Sequence, residues 1–356
     1  LDTTGPQPRI EATDGDVTIT ALAGIGGPGD IFYPGSANVQ ASDTIDVDAD
    51  GIFRQDGTGD LLAGQAVEIN AAAGYIQTDP AGWIRSEGDV EIGVLPNGVA
   101  TPAIDINGGG IQAWDSITVS SSSTLDIGDG ALIQTQALGP DGNINLNAVT
   151  DFSMLGQSYM RADNDINITA GPGGSVVIDS NISGAGGIEI SAAGEFNIVA
   201  FGPSPVTLGN DDVTLLEIEA NEIDINAQTG DYLSNSDVRL TATPVIVRGA
   251  TVTEAGIVLD SNSISKTPPN DPYGVAYFAS ENLTLEDTAS LITTGANGNI
   301  FLTADADLRL TGGNAPDGTG DVQLDAGASV TANNAQSAIW IGGSNVNIDG
   351  AVEARG

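Results

Sequence analysis

One short pattern recurs along the chain: an aliphatic residue, any residue, an aliphatic residue, usually a polar residue, then Ala. Eleven copies begin at Val17 (VTITA), Ile45 (IDVDA), Val67 (VEINA), Ile144 (INLNA), Ile166 (INITA), Ile188 (IEISA), Leu216 (LEIEA), Ile223 (IDINA), Val238 (VRLTA), Ile300 (IFLTA) and Val322 (VQLDA). Most alternate apolar and polar with period two and follow Asp, Asn or Gly, which predicts strands with one buried face entered from a turn. Several neighbouring copies stand 22 residues apart, as from Ile45 to Val67 and from Ile144 through Ile166 to Ile188. Degenerate copies start at Val90, Ile104, Ile117, Leu283, Leu308 and Val346, and a weaker motif reads YIQT at Tyr75, LIQT at Leu132 and LITT at Leu291. A coil is therefore expected to hold two or three short strands.

A unit of this size cannot bury its apolar face alone, whereas similar coils stacked on one another bury it against the next coil. The expected fold is all-β: one continuous parallel β-solenoid over residues 1–356, a right-handed β-helix with coils of about 22 residues. Roughly 16 coils at ~4.8 Å each would make a rod on the order of 75 Å long. Equivalent positions should form rows: Ile144, Ile166 and Ile188 inward, Leu146, Ile168 and Ile190 next, and Ala148, Ala170 and Ala192 where the wall bends. Between them Asn147, Thr169 and Ser191 are expected outward, hydrogen-bonded from coil to coil. Excursions near 24–35, 200–212 and 261–278 interrupt the repeat, and insertions in solenoids often carry binding. The last holds the only lysine, Lys266, with Tyr273, Tyr277 and Phe278, and is expected to be a partner-contact loop.

Composition narrows the choice. Hydrophobic residues are 40% and charged residues 16%, enough apolar material for a core. Aromatics are only 4% beside 48 glycines, which suits thin aliphatic layers. A net charge of −39 makes nucleic acid and anionic membranes poor partners. Without Cys or His the chain has no disulfide, thiol nucleophile or imidazole base. No apolar run is long enough for a transmembrane helix, and the start at Leu1 rather than Met is that of a processed or excised portion.

Candidate chemistry is sparse. Asp46, Asp48, Asp50 and Gly51 form DVDADG, the opening of a calcium loop, but Gly57 stands where the terminal acidic ligand belongs and Asp56 comes one place early. Asp46 and Asp48 are also the outward positions of a strand. Ca²⁺ is the one ion expected, and no cofactor is required. Outward carboxylates such as Asp46, Asp48, Asp105, Asp126 and Asp224 are expected to share it, relieving their mutual repulsion. The tract DGTGD, at 56–60 and 317–321, reads as turn chemistry. A lyase acting on an acidic polymer would want clustered basic residues, and the eight arginines are scattered singly. An enzyme is not expected; the alternative is a β-helix polysaccharide-degrading enzyme, a carboxylate-based glycosidase or lyase.

The tracts DINITAGPGG (165–174) and GGIEISAAGEF (186–196) resemble the filamentous-haemagglutinin family of large bacterial exoproteins. The likeness is one of repeat style, over about residues 10 to 350. It implies right-handed parallel β-helices, export by a two-partner or autotransporter route, and a role in attachment or as a surface fibre. That family's secretion domain carries Asn-Pro-Asn-Gly, to which only Leu95-Pro96-Asn97-Gly98 comes near. The expected function is a non-enzymatic extracellular or cell-surface protein, an adhesin arm or a fibre, sheath or surface-layer subunit. Its expected contacts are end-to-end self-association or a longer parent chain, and host or neighbouring cell surfaces or glycans.

Overall fold

The computed structural model describes the chain apart from residues 1–8, 22–28, 35, 37, 57, 79–81, 94–100, 137–141, 180–187, 193–194, 202, 204, 210–215, 229, 237, 243, 261–272, 295–298, 305–319, 334–336 and 356. Among the described residues there are strands and turns and no helix. The chain divides into two compact units, Leu1–Ile168 and Thr169–Gly356. Each is a parallel β-solenoid whose coil contributes one strand to each of three walls.

In the first unit, Thr44–Ala49, Ile52–Asp56 and Leu61–Ala63 run in turn along the second, third and first walls, and the next coils repeat the order. Alternation sends Ile45 and Val47 inward with no exposed surface, over Val67 and Ile69 of the following coil. Each such side chain contributes about 1.5–3 kcal/mol when fully buried. Some corners take only a small residue because backbone stacks on backbone there. A Cβ on Gly64 would lie 2.0 Å from the Ser42 carbonyl oxygen. The third wall also carries amides inward: Gln55 and Gln77 are buried, and their Nε2 atoms donate to the Gly59 and Gly82 carbonyls at 3.0 and 3.1 Å. These bonds satisfy the buried NH₂ groups and pin the corner that follows, while Gln55 Oε1 stays buried without a hydrogen-bond partner among the described residues.

Three-walled coils correct two expectations. Register partners are 22 residues apart at Ile45–Val67 but 27 apart at Ile117–Ile144 and 39 apart at Leu291–Val330, because corners accept insertions. The coils are therefore longer on average than 22 residues, and the first wall has seven strands in each unit, 14 altogether instead of 16. The repeat copies are also spread over walls. Ile166 follows Ile144 as expected: the Ile144 amide donates to the Asp165 carbonyl, and Asn167 donates to Asn145 Oδ1 at 3.0 Å. Ile188 does not extend that row. Its strand Ile188–Ala192 belongs to the first wall and pairs Ile188 with Leu216, whereas Ile144–Ala148 and Ile166–Ala170 belong to the second.

The second unit keeps the three walls and reverses part of the inside–outside pattern. The outward row of its second wall runs Asp224, Ile246, Ala276, Phe301, Trp340 in register. Ile246, Ala276 and Phe301 are nevertheless buried and pack with Phe278. The interior, conversely, admits an acid: Glu254 is wholly buried beside Tyr232 and Tyr277.

Candidate binding groove

The first wall of the first unit shows a groove of about 450 Å³. Register places Glu11, Gln40, Leu62, Arg85, Gln112, Gln134 and Arg161 in one outward row, which from Gln40 onward carries amides and guanidinium groups. The corner positions two residues on, Ser42, Gly64, Glu87 and Trp114, are stacked by amide-to-carbonyl bonds between successive coils. Ser42 and Gly64 are small and Glu87 and Trp114 are not, so the corner steps outward and leaves a hollow floored by Leu62, Ala63 and Gly64.

Arg85 and the two tryptophans give the hollow its chemistry. The Arg85 guanidinium lies 4.4 Å from the Trp83 ring centroid, a cation–π contact that holds a planar donor group at the groove. Trp83 can lie flat because its neighbour on the next coil is glycine: a Cβ on Gly110 would come 2.2 Å from the indole. The Trp83 amide donates to Asp60 Oδ1 at 2.8 Å, fixing the strand entry. Arg85 Nε is buried and makes no hydrogen bond. Trp114 stands at the rim with 46% of its surface exposed.

Asp46 and Asp48 are on the outer face of the second wall, as their alternation with buried Ile45 and Val47 requires, and Asp50 is exposed at the corner beyond. Asp46 stacks on Glu68, and Glu68 on Glu91. Partial burial, then the like charges of Asp48, Glu68 and Asp16, push the Asp46 carboxyl up, and burial, then Glu91 and Asp48, does the same to Glu68. Asp105 and Asp126 are register partners, whereas Asp224 is paired with Arg248. Among the described residues no group of three or more acidic side chains is placed to hold a metal ion.

Of the expected contact loop, Lys266 and the side chain of Tyr273 lie outside the described residues, as does Leu95-Pro96-Asn97-Gly98. Tyr273–Ala279 is a strand of the second wall. Tyr277 is completely buried and Phe278 is 6% exposed, so neither side chain is offered at a surface. The Tyr277 hydroxyl donates to Glu254 Oε2 at 2.6 Å, the Tyr232 hydroxyl to the same oxygen at 3.3 Å, and the Gly256 amide to Oε1 at 2.8 Å. Burial pushes the Glu254 carboxyl up, and the donated bonds oppose it.

Sequence reasoning missed the groove because each arginine was weighed alone. The usable signal was a second short pattern, VQAS, LLAG, IRSE and IQAW, in which the residue after the small one marks the corner. Aligning those tracts sets Ser42, Gly64, Glu87 and Trp114 in a column. Compared with known proteins, the chain matches no family model, no curated protein and no solved structure.

Proposed function

We propose that this chain is a non-enzymatic extracellular solenoid that serves as a structural or adhesive arm. The observation that carries the reading is how its outward polar side chains are used. They hydrogen-bond to equivalent or adjacent positions of the neighbouring coil: Asn167 to Asn145, Asn147 to Ser120 at 3.3 Å, Ser153 to Asp126 at 2.5 Å, Thr78 to Asp56 at 2.6 Å and Asn347 to Gln323 at 2.7 Å. Such ladders stiffen a stack and leave those groups engaged with each other. Export fits a chain without cysteine and with strong acidity, and the repeat style supports the adhesin-like branch.

Self-association through strand edges belongs to the same reading, since an unpaired edge of a parallel sheet accepts another strand. Electron microscopy and light scattering of the purified chain should show rods or end-to-end filaments. Incubation with a panel of polysaccharides should release no reducing ends and no unsaturated products. Turnover would overturn the reading in favour of a glycosidase or lyase.

A further inference from the structure

We infer that the groove on the first wall of the first unit binds a neutral glycan, with a pyranose ring stacked on Trp114 and its hydroxyls held by Arg85, Gln112 and Glu87. The inference rests on the reading of the chain as a binding solenoid and names the ligand class.

The floor of Leu62, Ala63 and Gly64 is shallow, and the hollow of about 450 Å³ has room for one or two sugar rings. Trp114 presents a half-exposed indole at its rim, and an aromatic face against the apolar face of a pyranose is a low-entropy platform. A sugar hydroxyl both donates and accepts, so it needs partners of both kinds. Arg85 supplies a planar donor already oriented by the Trp83 ring, Gln112 an amide that donates and accepts, and Glu87 an acceptor. These groups come from two consecutive coils above the floor supplied by the coil before them, and the row continues through Gln134 and Arg161. Coils about 4.8 Å apart match the scale of one sugar residue, so an extended oligosaccharide can cross them. The charge of the ligand follows from the protein's own: at a net −39 the surrounding field repels a polyanion, and Glu87 sits in the groove itself.

The test is calorimetry of the purified chain against a panel of neutral hexasaccharides, namely cello-, malto-, manno- and chitohexaose, with hexagalacturonate as the anionic arm. Saturable binding of at least one neutral member, tighter than the uronate, is expected. Trp114→Ala should weaken it by about tenfold or more, and Gln112→Ala by roughly three- to tenfold. Phe32→Ala removes another exposed aromatic, 62% exposed on the third wall, and should leave binding unchanged. Because Trp114 is at the rim, its variant should keep the parent's melting temperature. The inference is overturned if no neutral hexasaccharide binds below about 10 mM, if hexagalacturonate binds more tightly, or if Trp114→Ala binds like the parent. Cleavage of a bound sugar would instead count against the non-enzymatic reading while leaving the groove assigned, so the two failures are distinguishable.

Discussion

The second wall carries opposite surfaces in the two units. In the first, its outer row places Asp46, Glu68 and Glu91 on successive coils, half-exposed, and partial burial together with neighbouring like charges raises the proton affinity of Asp46 and Glu68. In the second, the corresponding outer row is Ile246, Ala276 and Phe301, at most 5% exposed and joined by Phe278. The interiors differ in the reverse sense. The first unit stacks Phe53 on Tyr75 with ring centroids 5.6 Å apart, while the second encloses a carboxyl between two tyrosines. Alternation of apolar and polar is thus a property of strands with one wet face. Where both faces are covered the run becomes continuously apolar, as in VIV, YGVAYFA and NIFL.

The largest effect should come from making the two outer rows alike. Phe301→Ala removes a buried aromatic that stacks on Trp340 at 4.3 Å and should cost about 3–5 kcal/mol. Glu68→Ala, on the outer face of the same wall in the first unit, should change stability by less than about 0.5 kcal/mol. Denaturant unfolding followed by tryptophan fluorescence and circular dichroism measures both. A Phe301 variant that behaves like a surface substitution would break the comparison.

The pH response sharpens it. Glu254, Asp46, Glu68 and Asp105 are all pushed up, chiefly by burial, so each keeps its proton to higher pH in the folded chain than in the unfolded one. Their contribution is fully present below the ordinary carboxylate range and is lost as pH rises through the raised folded values. The melting temperature should therefore be higher near pH 4–5 than at pH 8. Glu254→Gln keeps an acceptor for the tyrosine hydroxyls and removes the charge. It should raise the melting temperature at pH 8 by a few degrees, on the order of the shift from 1 kcal/mol in a unit of this size. An unchanged pH slope in that variant would mean that the outer carboxylates carry the effect.

The smallest effect belongs to the acidic row itself. Glu68→Gln should stabilise the first unit by less than about 1 kcal/mol, and added NaCl should shrink the difference. If Ca²⁺ is coordinated between neighbouring carboxylates, millimolar calcium will stabilise the chain where NaCl at equal ionic strength does not, and EGTA will reverse it. Equal melting temperatures in calcium and NaCl would reduce the effect to screening.

From the sequence alone came the all-β parallel stack, the inward Val, Ile and Leu of the repeats and the outward place of Asp46 and Asp48. Period-two alternation and turn residues act over four to six residues, within reach of a local reading. Wall and face were decided by the tertiary structure. In YIQT, Tyr75 and Gln77 point inward and Ile76 outward, while in LIQT it is Ile133 and Thr135 that point inward. Nearly the same tetrapeptide lies on different walls in opposite phase, because a slip of one residue exchanges the faces and the corners set the slip. Ile188 changed wall for the same reason, the insertions between coils having broken the 22-residue count. The groove follows suit: the tracts VQAS, LLAG, IRSE and IQAW mark its four corners one by one, and only their stacking brings Gln40, Arg85, Glu87 and Trp114 to one hollow.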